Sequence, residues 1–420
     1  MAYTYLQAAA LARNPLARGV LTSIATTNEL ISLLPWEESA GMSYDVSREG
    51  SLASVEFLPV GGSTTTVESS SQGDQASFAF RQIASDVDVN NYTMGLNTPN
   101  GDPRAWQISQ KFKALGLMLQ GKMITGAQIS GATFVGGASL AALTFVSAQG
   151  FDMNAGPSKI KYTNSGTTWQ FCAPGDLDYG AAVTAASNGT YTLSSVNASK
   201  KIVVTIVAAT ATANTEGVVN FTTSTNEPDG LAKLCPSSQI VASTGTNGDA
   251  ISFDVLDRLI YEKVKIRENL VFIMNATQKR KYMALARTAS GGLTPSEIAI
   301  PVMGMSGGIG NKMVPAYNGI PILQVDDIPA TESKGGSGAT LSSVYLVSLA
   351  PKVGFFGAVQ AGGGFEDIAL DPYTSRVAGC RLYDLGQRDG KAAWGTRVEW
   401  IGGYGLGSPL AVARASELTP

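Results

Sequence analysis

The sequence predicts an α+β fold, and three observations carry that prediction: a long two-stranded arm, one long amphipathic helix and a β-rich middle segment. Apolar and polar residues alternate over 42–60 and again over 77–92, which is typical of strands with one exposed face. Residues 103–125 instead place apolar side chains every three or four positions, the helical period. Residues 127–226 are rich in Ala, Ser, Thr and Gly and poor in charge, which favours short strands and turns.

Length and composition indicate a globular protein with more than one substructure. At 420 residues the chain is too long for one compact core, so roughly two to four substructures are expected. The formal net charge is -3, with no basic tail and no Lys/Arg run of the kind that grips phosphate backbones. A wall enclosing DNA and an ordinary cytosolic enzyme both fit this balance, so charge does not decide between them.

The cysteines and the N-terminal residues indicate the cellular compartment in which the protein is expected. Cys172, Cys235 and Cys380 are far apart and odd in number, which predicts free thiols in a reducing environment. The first twenty residues lack a basic region before an apolar run, so they do not form a secretory signal. No apolar stretch approaches the ~20 residues of a membrane span, so no membrane partner is predicted.

The first element of the chain is an N-terminal arm over residues 3–34, with two short helices that end before Pro35 and Trp36. The two-stranded ribbon follows, with its tip at 61–75 and a return strand at 77–92. An isolated two-stranded ribbon is marginally stable in water, and its open edges need a partner. We therefore expect the ribbon to lie on another copy of the chain, which predicts a homo-oligomer.

The helix at 103–125 is the best-defined element. Asp102 suits the N-cap, Pro103 suits the first helical position, and Gly126 suits the end. At ~1.5 Å per residue its length is about 35 Å. One apolar stripe is predicted to be buried, and it comprises Ala105, Ile108, Phe112, Leu115, Leu119 and Met123.

The remaining elements follow from local signals. Residues 190–196 and 200–208 predict a hairpin in the middle segment, and Asn318-Gly319 predicts a tight turn between two strands. Asn275 is the expected N-cap of a helix, with Gln278 placed as in a capping box. A helix is further predicted at 253–266, and strands are predicted at 270–274, 344–349, 352–359 and 397–401.

The sequence argues against catalysis, because it contains no histidine. That absence removes the commonest general base and metal ligand. Residues 304–308 match the G-x-S-x-G nucleophile pattern, but the pattern needs a histidine and a following helix, and both are missing. Asp86 and Asp88 are interpreted as a solvated strand face. We predict no enzymatic activity, no cofactor and no metal.

The order of these elements resembles the major capsid protein of tailed bacteriophages, whose Johnson fold is shared with herpesvirus shells and encapsulins. The resemblance rests on several weak matches in a specific order. The segments that carry it are ASDVDVNNYTM (84–94), GKMITG (121–126), NEPDGLAKL (226–234), AISFDVLDRLIYEKV (250–264), FIMNATQKRKYMALAR (272–287), AYNGIPILQVDDIP (316–329) and GSPLAVARAS (407–416).

The resemblance implies a division of the chain into the parts of that fold. The parts are an N-terminal arm (1–41), an extended E-loop hairpin (42–92), the P-domain with its spine helix (93–126), an inserted β-rich domain (127–226), an A-domain with adjoining P-domain segments (227–370) and a C-terminal P-domain return (371–420). The insertion stands where many relatives have a short loop. Its expected role is an outward-facing stabilising module, with binding to a host or environmental surface as the alternative.

The resemblance also implies partners. Hexamers and pentamers would form around A-domain loops that include residues 294–312, and would enclose double-stranded DNA without reading its sequence. A separate scaffolding protein and a portal protein at one vertex are expected, with a decoration protein left open. Assembly in the bacterial cytoplasm would precede maturation of a procapsid. The hypothetical subunit-interface residues are Arg48, Glu49, Phe57, Glu68, Arg81 and Lys312.

Some relatives cross-link a lysine of the E-loop to a neighbouring subunit. Here the first lysine of the chain is Lys111, so no covalent lattice of that kind is predicted. Three other readings stay open at this stage. An encapsulin has the same fold and encloses enzymes, a Ser/Thr-rich adhesin or carbohydrate-binding protein would fit the middle segment, and a metal-dependent enzyme without histidine is the third.

Overall fold

The computed structural model is a mixed α+β chain with more strand than helix. It describes residues 29–51, 72–94, 103–126, 226–245, 247–289, 296–303, 309–330, 332–333, 339–360, 374–377 and 379–420, together with the backbone of eight strands between 129 and 223. The predicted helices at 3–28, the ribbon tip and the G-x-S-x-G segment lie outside these residues.

The described elements before the middle segment are three helices and four strands. The helices are α1 (Glu29–Leu33), α2 (Asn91–Met94) and α3 (Pro103–Thr125). The strands are β1 (Trp36–Ser39), β2 (Ser43–Ser51), β3 (Gln72–Ala79) and β4 (Arg81–Asn90). Helix α3 has the bounds that the sequence predicts.

The middle segment contributes eight strands in two sheets. They are β5 (Ile129–Gly136), β6 (Ala142–Ala148), β7 (Lys159–Ser165), β8 (Thr168–Cys172), β9 (Val183–Thr184), β10 (Gly189–Ser194), β11 (Lys201–Val207) and β12 (Glu216–Thr223). One sheet has the order β10-β11-β6 and the other β5-β12-β7-β8-β9. The antiparallel pair β10–β11 confirms the predicted hairpin. The first and last strands, β5 and β12, pair with each other, so the two ends of the middle segment lie next to each other.

The described residues of the rest of the chain add three helices and twelve strands. The helices are α4 (Leu231–Leu234), α5 (Phe253–Arg258), which continues as a π turn over Leu259–Lys263, and α6 (Ala276–Ala289). The strands are β13 (Ile240–Ala242), β14 (Leu270–Met274), β15 (Glu297–Met303), β16 (Ile309–Tyr317), β17 (Ile320–Gln324), β18 (Glu332–Ser333), β19 (Ala339–Ser348), β20 (Phe355–Gln360), β21 (Thr374–Val377), β22 (Cys380–Gln387), β23 (Ala393–Leu406) and β24 (Val412–Leu418). Short 3-10 turns cover Ser237–Gln239 and Pro409–Ala411.

Two sheets organise the described residues outside the middle segment. The eight-stranded sheet runs β13-β24-β19-β14-β17-β16-β15, with β18 on β19. Side chains alternate between its faces along each strand. Ile273, Leu323 and Val347 face a core shared with α3 and the six-stranded sheet. Phe272 and Leu346 face a second core beneath α5 and α6. The eight-stranded sheet is therefore a central layer with helices on both faces.

The six-stranded sheet joins distant parts of the chain. Its order is β1-β20-β23-β22-β21, and β4 also pairs with β23. Two sequence predictions were wrong here. Trp36 does not merely close the N-terminal arm, because it begins β1, which pairs in parallel with β20. The predicted return strand at 77–92 is two strands, because the chain turns at Phe80 and β4 leaves the ribbon to pair with β23 over ten residues.

The ribbon itself is confirmed over its described part. Strands β2 and β3 pair antiparallel, from Ser43 opposite Ala79 to Ser51 opposite Gln72. Beyond Ala79 the chain belongs to the six-stranded sheet, so the hairpin is shorter than the predicted 42–92. At ~3.3 Å per residue the nine residues of β2 extend about 30 Å.

Helix α3 buries the predicted stripe, except at its first position. Phe112, Leu115, Leu119 and Met123 are buried, but Ala105 is exposed, because the first turns of the helix extend past the core. A Cβ at Gly121 would lie 3.4 Å from a carboxylate oxygen of Asp327, so α3 packs closely against the 326–327 turn at this point.

Several local predictions are confirmed, and others need correction. Strand β14 and the turn at Asn318-Gly319, whose φ values are 54° and 77°, are as expected. The Asn275 side chain caps α6 by accepting from the Gln278 amide at 2.9 Å. The Gln278 side chain does not bond back to the Asn275 backbone, as a capping box requires, because its side-chain amide donates to Ser342 Oγ at 3.0 Å. The predicted loop at 294–312 includes the antiparallel pair β15–β16, so it is not irregular along its length.

The C-terminal strands also differ in extent from prediction. Strand β20 begins at Phe355 rather than Lys352, because residues 351–354 form a turn in which Lys352 has a φ of 64°. Strand β23 is far longer than the predicted 397–401, since it pairs with three partners. Among the helices within the described ranges, none combines the length and hydropathy needed to cross a bilayer.

Candidate functional site

Aromatic side chains anchor the base of the ribbon. The Phe356 ring lies 5.1 Å from Tyr44 of β2 and 5.9 Å from Phe78 of β3, both in edge contacts. A Cβ at Gly405 would fall 2.5 Å from the Phe356 ring, so only glycine lets β23 lie beneath it. Burial, with a smaller effect of the Glu37 carboxylate, raises the pKa of Tyr44. The ribbon therefore starts from a fixed point on the six-stranded sheet.

The ribbon has two different faces and two open edges. Its inner face packs on the core at the base, through Tyr44, Val46, Ala76 and Phe78. Its outer face is exposed and mostly polar, with Asp45, Ser47, Gln75 and Ser77. Among the described strands, β2 and β3 pair only with each other. Unpaired edges are templates for association, so the ribbon is a candidate contact with another chain.

Helix α3 presents apolar side chains on the side away from its buried stripe. Trp106, Leu117 and Met118 are 43%, 53% and 51% exposed. Trp106 and Leu117 are about three turns apart and share one side of the helix. These side chains were visible in the sequence as apolar residues off the predicted stripe, but their exposure was not anticipated. Clustered exposed apolar residues mark interaction surfaces.

An ion-pair network fixes β4 to the hairpin formed by β22 and β23. Asp86 pairs with Arg397 at 2.7 Å and with Arg388 at 2.6 Å, and Asp88 pairs with Arg388 at 2.8 Å. The hydrogen bond from Arg397, followed by that from Arg388, lowers the pKa of Asp86 to about 2. Asp86 and Asp88 are both exposed, as the prediction of a solvated face expects, but the sequence did not reveal that β4 pairs with β23 and that Arg388 and Arg397 pair with these carboxylates.

A second set of contacts fixes the first turn of α3 to the same hairpin. Arg104 pairs with Asp384 at 2.9 Å and lies over the Trp394 ring at 5.6 Å. Trp394 Nε1 donates to Asp384 at 2.6 Å. Burial opposes ionisation of Asp384, but the hydrogen bonds from Arg104, Gly386 and Trp394 outweigh it and lower its pKa. Helix α3, β4 and β23 are thereby held as one unit.

No family model and no curated protein matches this chain. Solved structures do. The holo-SrpI encapsulin complex from Synechococcus elongatus PCC 7942 aligns with a TM-score of 0.50 and 11% identity over 93% of this chain and 87% of the encapsulin. The capsid of an empty GTA particle (TM-score 0.49, 10% identity, 94% and 90% covered) and the cyanophage A-1(L) capsid (0.48, 12%, 98% and 96%) are also similar.

This chain has the fold of a capsid-type shell protein. The alignment with the encapsulin covers 93% of this chain, so the likeness extends over most of the architecture rather than one motif. The resemblance found in the sequence is confirmed at the level of the fold. Within the fold, the ribbon, the exposed side of α3 and the ion-pair network are the candidate functional surfaces.

The residues predicted to form subunit contacts in this shell fold do not share one location. Arg81 lies on β4 opposite Gly402 and is partly exposed. Lys312 lies on β16 of the other sheet, is 54% exposed and pairs with Glu29 of α1. Arg48 and Glu49 lie on β2, opposite Asp74 and Gly73, but their side chains are outside the described residues. Phe57 and Glu68 are outside them altogether. Their roles remain predictions.

The described part of the chain holds no group of three or more metal-ligating side chains. Cys235 and Cys380 are free and buried. Burial raises the pKa of the Cys235 thiol to about 12 and raises that of Cys380 further, so neither is a nucleophile at neutral pH.

Proposed function

We propose that this chain is the major capsid protein of a tailed bacteriophage and that it assembles into hexamers and pentamers enclosing double-stranded DNA. The observation that carries the proposal is the ribbon of β2 and β3, which is anchored at its base, amphipathic, and unpaired at both edges among the described strands. A shell protein needs such an extension because it must bind a neighbour without a second core of its own.

The exposed side of α3 is the surface that fits a neighbour's ribbon. In this proposal the part of a ribbon beyond its base, where Tyr44 and Phe78 pack on their own subunit, covers Trp106 and Leu117 of the adjacent subunit. Residues 103–126 would then be the spine helix and the ribbon the E-loop. Summed contact area and closed symmetry, rather than single charges, would stabilise the shell.

The remaining parts of the proposal follow from the same assignment. A separate scaffolding protein directs assembly in the bacterial cytoplasm, a portal protein occupies one vertex, and the procapsid then matures. Residues 127–226 form an outward-facing inserted domain, supported by the side-by-side pairing of β5 and β12. A decoration protein would bind this outer surface if one is present. The role is structural, without enzymatic activity or cofactor.

A bacterial encapsulin is the second candidate, because the encapsulin complex has a TM-score of 0.50 with this chain. Both candidates predict closed shells, so their contents discriminate them. Particles purified from the native source would be treated with nuclease and opened. Protected double-stranded DNA supports the phage assignment, whereas a protein cargo without DNA overturns it in favour of an encapsulin.

Assembly itself is tested by negative-stain electron microscopy and light scattering of the expressed protein, with and without its scaffolding protein. Closed shells or rings of five and six subunits are expected. A chain that stays monomeric with scaffolding protein present would overturn the proposal. The adhesin and the metal-dependent enzyme would then be the favoured functions.

The contact on α3 has its own test. Trp106→Glu combined with Leu117→Glu places charge on the apolar side of the helix, so shells should be lost while the subunit stays folded. Gln107→Glu combined with Ala114→Glu is the matched control, because both residues are exposed on the same helix about a quarter of a turn away from Trp106 and Leu117. Shells from the apolar-face variant at the yield of the control would exclude this surface from assembly.

A further inference from the structure

A cluster of exposed apolar side chains lies at the end of the eight-stranded sheet where β14 and β24 begin and β19 ends. Tyr261, Val353 and Leu410 are 53%, 45% and 42% exposed. Backbone bonds join the segments that carry them. The Lys265 amide donates to the Leu410 carbonyl at 3.0 Å, and the Ser408 amide donates to the Val353 carbonyl at 2.7 Å. Exposed apolar residues grouped in this way mark interaction surfaces.

Three cations accompany these apolar side chains. After the π turn the chain is extended, so its side chains alternate between two sides. Val264 is fully buried and Ile266 packs on the core, which leaves Lys265 and Arg267 on the exposed side. Lys352 is exposed in the turn before β20. The sequence has no consecutive run of cations here, because apolar residues separate them. The end surface consists of Tyr261, Lys265, Arg267, Lys352, Val353 and Leu410.

The cations of the end surface are held in place but not neutralised. Among the described residues, none of the three lies within ion-pair distance of a carboxylate. The Lys265 ammonium donates to the Tyr261 carbonyl at 3.4 Å, and the Arg267 guanidinium lies over the Tyr261 ring at 5.7 Å. Glu262 and Glu268 lie in the same segment, but Glu262 already pairs with α5. In a chain of net charge -3, this surface is locally positive and attracts an acidic partner.

The composition of the end surface fits a protein better than nucleic acid. An apolar centre with a polar rim is the usual make-up of a protein interface, where Tyr and Arg are enriched. A phosphate backbone would use the cations and leave the apolar side chains uncovered. A second copy related by a two-fold axis would bring the same cations face to face, which like-charge repulsion opposes. The fitting partner is therefore another protein with carboxylates around an apolar patch.

The end surface adjoins the inserted domain. The 3-10 turn Ser237–Gln239 contacts β11 of that domain. The Ser238 carbonyl in this turn accepts from Lys263 Nζ at 2.9 Å, and Lys263 is two residues before Lys265. Because the inserted domain is proposed to face outward, the end surface lies on the same side of the proposed shell. A protein that joins the shell from outside can reach it there.

We propose that the end surface binds an acidic protein that joins the assembled shell from outside. Carboxylates of this protein pair with the three cations, and its apolar side chains cover the three exposed apolar residues. The inference rests on the proposed function and names the chemistry of the decoration partner that this function leaves open. Ion pairs at the rim are screened by salt, so the protein dissociates as ionic strength rises.

Acetylation of lysines with N-hydroxysuccinimidyl acetate tests the proposal, since the reagent modifies accessible amines. Mass spectrometry would compare shells assembled from this chain and its scaffolding protein with particles purified from the native source. Lys265 and Lys352 should be modified in the first sample and protected at least about tenfold in the second. A high-salt wash of the native particles should release an acidic protein and restore modification. Lys281 is the access control, because it is exposed on α6.

Charge reversal tests the same contact through binding. The variant Arg267→Glu with Lys352→Glu would be assembled into shells, which shows that it is folded, and mixed with the protein released by salt. It should bind at least about tenfold less of that protein than wild-type shells. Arg280→Glu with Lys281→Glu is the matched control, because it makes the same change of charge at two exposed positions of α6. The control should bind as wild type does.

The other outcomes overturn the proposal in distinguishable ways. Protection of Lys265 and Lys352 already in shells of this chain would assign the surface to a neighbouring copy. Protection that is lost when native particles are opened and treated with nuclease would assign it to DNA. Modification in both samples, a wash that releases no protein, or equal binding by the variant and the control would each exclude the contact. All of these leave the shell function intact, whereas a chain that forms no shells with scaffolding protein overturns the proposed function itself.

Discussion

Loss of one partner of the buried pair between Glu332 and Arg414 should strongly destabilise the subunit. Arg414 of β24 is 2% exposed, and its Nη2 lies 2.7 Å from Glu332 Oε1 of β18. The other carboxylate oxygen accepts from the Glu417 amide at 2.7 Å, and Arg414 Nε donates to Ser343 at 2.8 Å. The pair thus links β18, β19 and β24, and both side chains are buried, so neither can reach solvent when its partner is removed.

The magnitude follows from what each change leaves buried. Arg414→Met leaves the Glu332 carboxylate without its cation, which should lower the free energy of unfolding by about 3–5 kcal/mol. Glu332→Leu should have a similar effect, because it leaves the buried Arg414 guanidinium group without its carboxylate partner. The double variant removes both charges and leaves mainly the Glu417 amide without an acceptor, at about 1–3 kcal/mol. The double variant should therefore be more stable than either single variant.

The measurement is urea unfolding of unassembled subunits, followed by tryptophan fluorescence and analysed as a double-mutant cycle. Arg258→Met is the matched control, because its pair with Glu262 is exposed (37% and 56%) and its loss should cost under about 1 kcal/mol. If Arg414→Met costs no more than this control, or if the two single effects simply add, the pair is not the buried link described here.

Three further predictions concern other contacts. Asp86→Asn should lower stability at neutral pH, and the difference from wild type should shrink as pH falls from about 4 toward 2. The Asp86 pKa is about 2 in the folded state and ~3.9 in the unfolded state, so its carboxylate stabilises the fold above pH ~3.9 and loses this effect as pH falls through about 2. A difference in thermal unfolding that does not depend on pH would contradict this prediction. Gly230→Ala should cost about 1–3 kcal/mol in urea unfolding, because its Cβ would lie 2.5 Å from the Gly126 amide, and an unchanged midpoint would refute this packing. Mature particles should run as monomers on a denaturing gel, because no lysine precedes Lys111, and a ladder above the monomer would disprove it.

The sequence was sufficient where the signal is local. Helix α3, strand β14 and the turn at Asn318-Gly319 were predicted with their bounds, because periodicity, caps and turn residues act over a few positions. Their order was enough to indicate the fold, since that order is the specific part of the resemblance. The candidate surfaces were harder to see. Trp106 was visible as an apolar residue off the stripe, but its exposure depends on where the core ends.

Pairing between distant strands could not be predicted. Strand β4 reads as the natural continuation of the ribbon, since its alternation continues that of β3. It pairs instead with β23, about 300 residues later, and only that pairing brings Arg388 and Arg397 to Asp86. Likewise β1 is four residues long and has no pattern of its own, so its place beside β20 follows from the buried Trp36 rather than from propensity.

The same pairing determines where the ribbon can move. Strand β4 is held by a ten-residue register with β23 and by the ion pairs of Asp86 and Asp88, so it belongs to the rigid sheet. Among the described strands, β2 and β3 pair only with each other once they pass the aromatic anchor at Phe356. Phe80, whose backbone amide donates to the Met42 carbonyl at 2.9 Å, lies at the boundary between the ribbon and β4 of the six-stranded sheet. If the proposed shell changes shape, its ribbons would therefore bend beyond Phe80, while β4 stays with the six-stranded sheet.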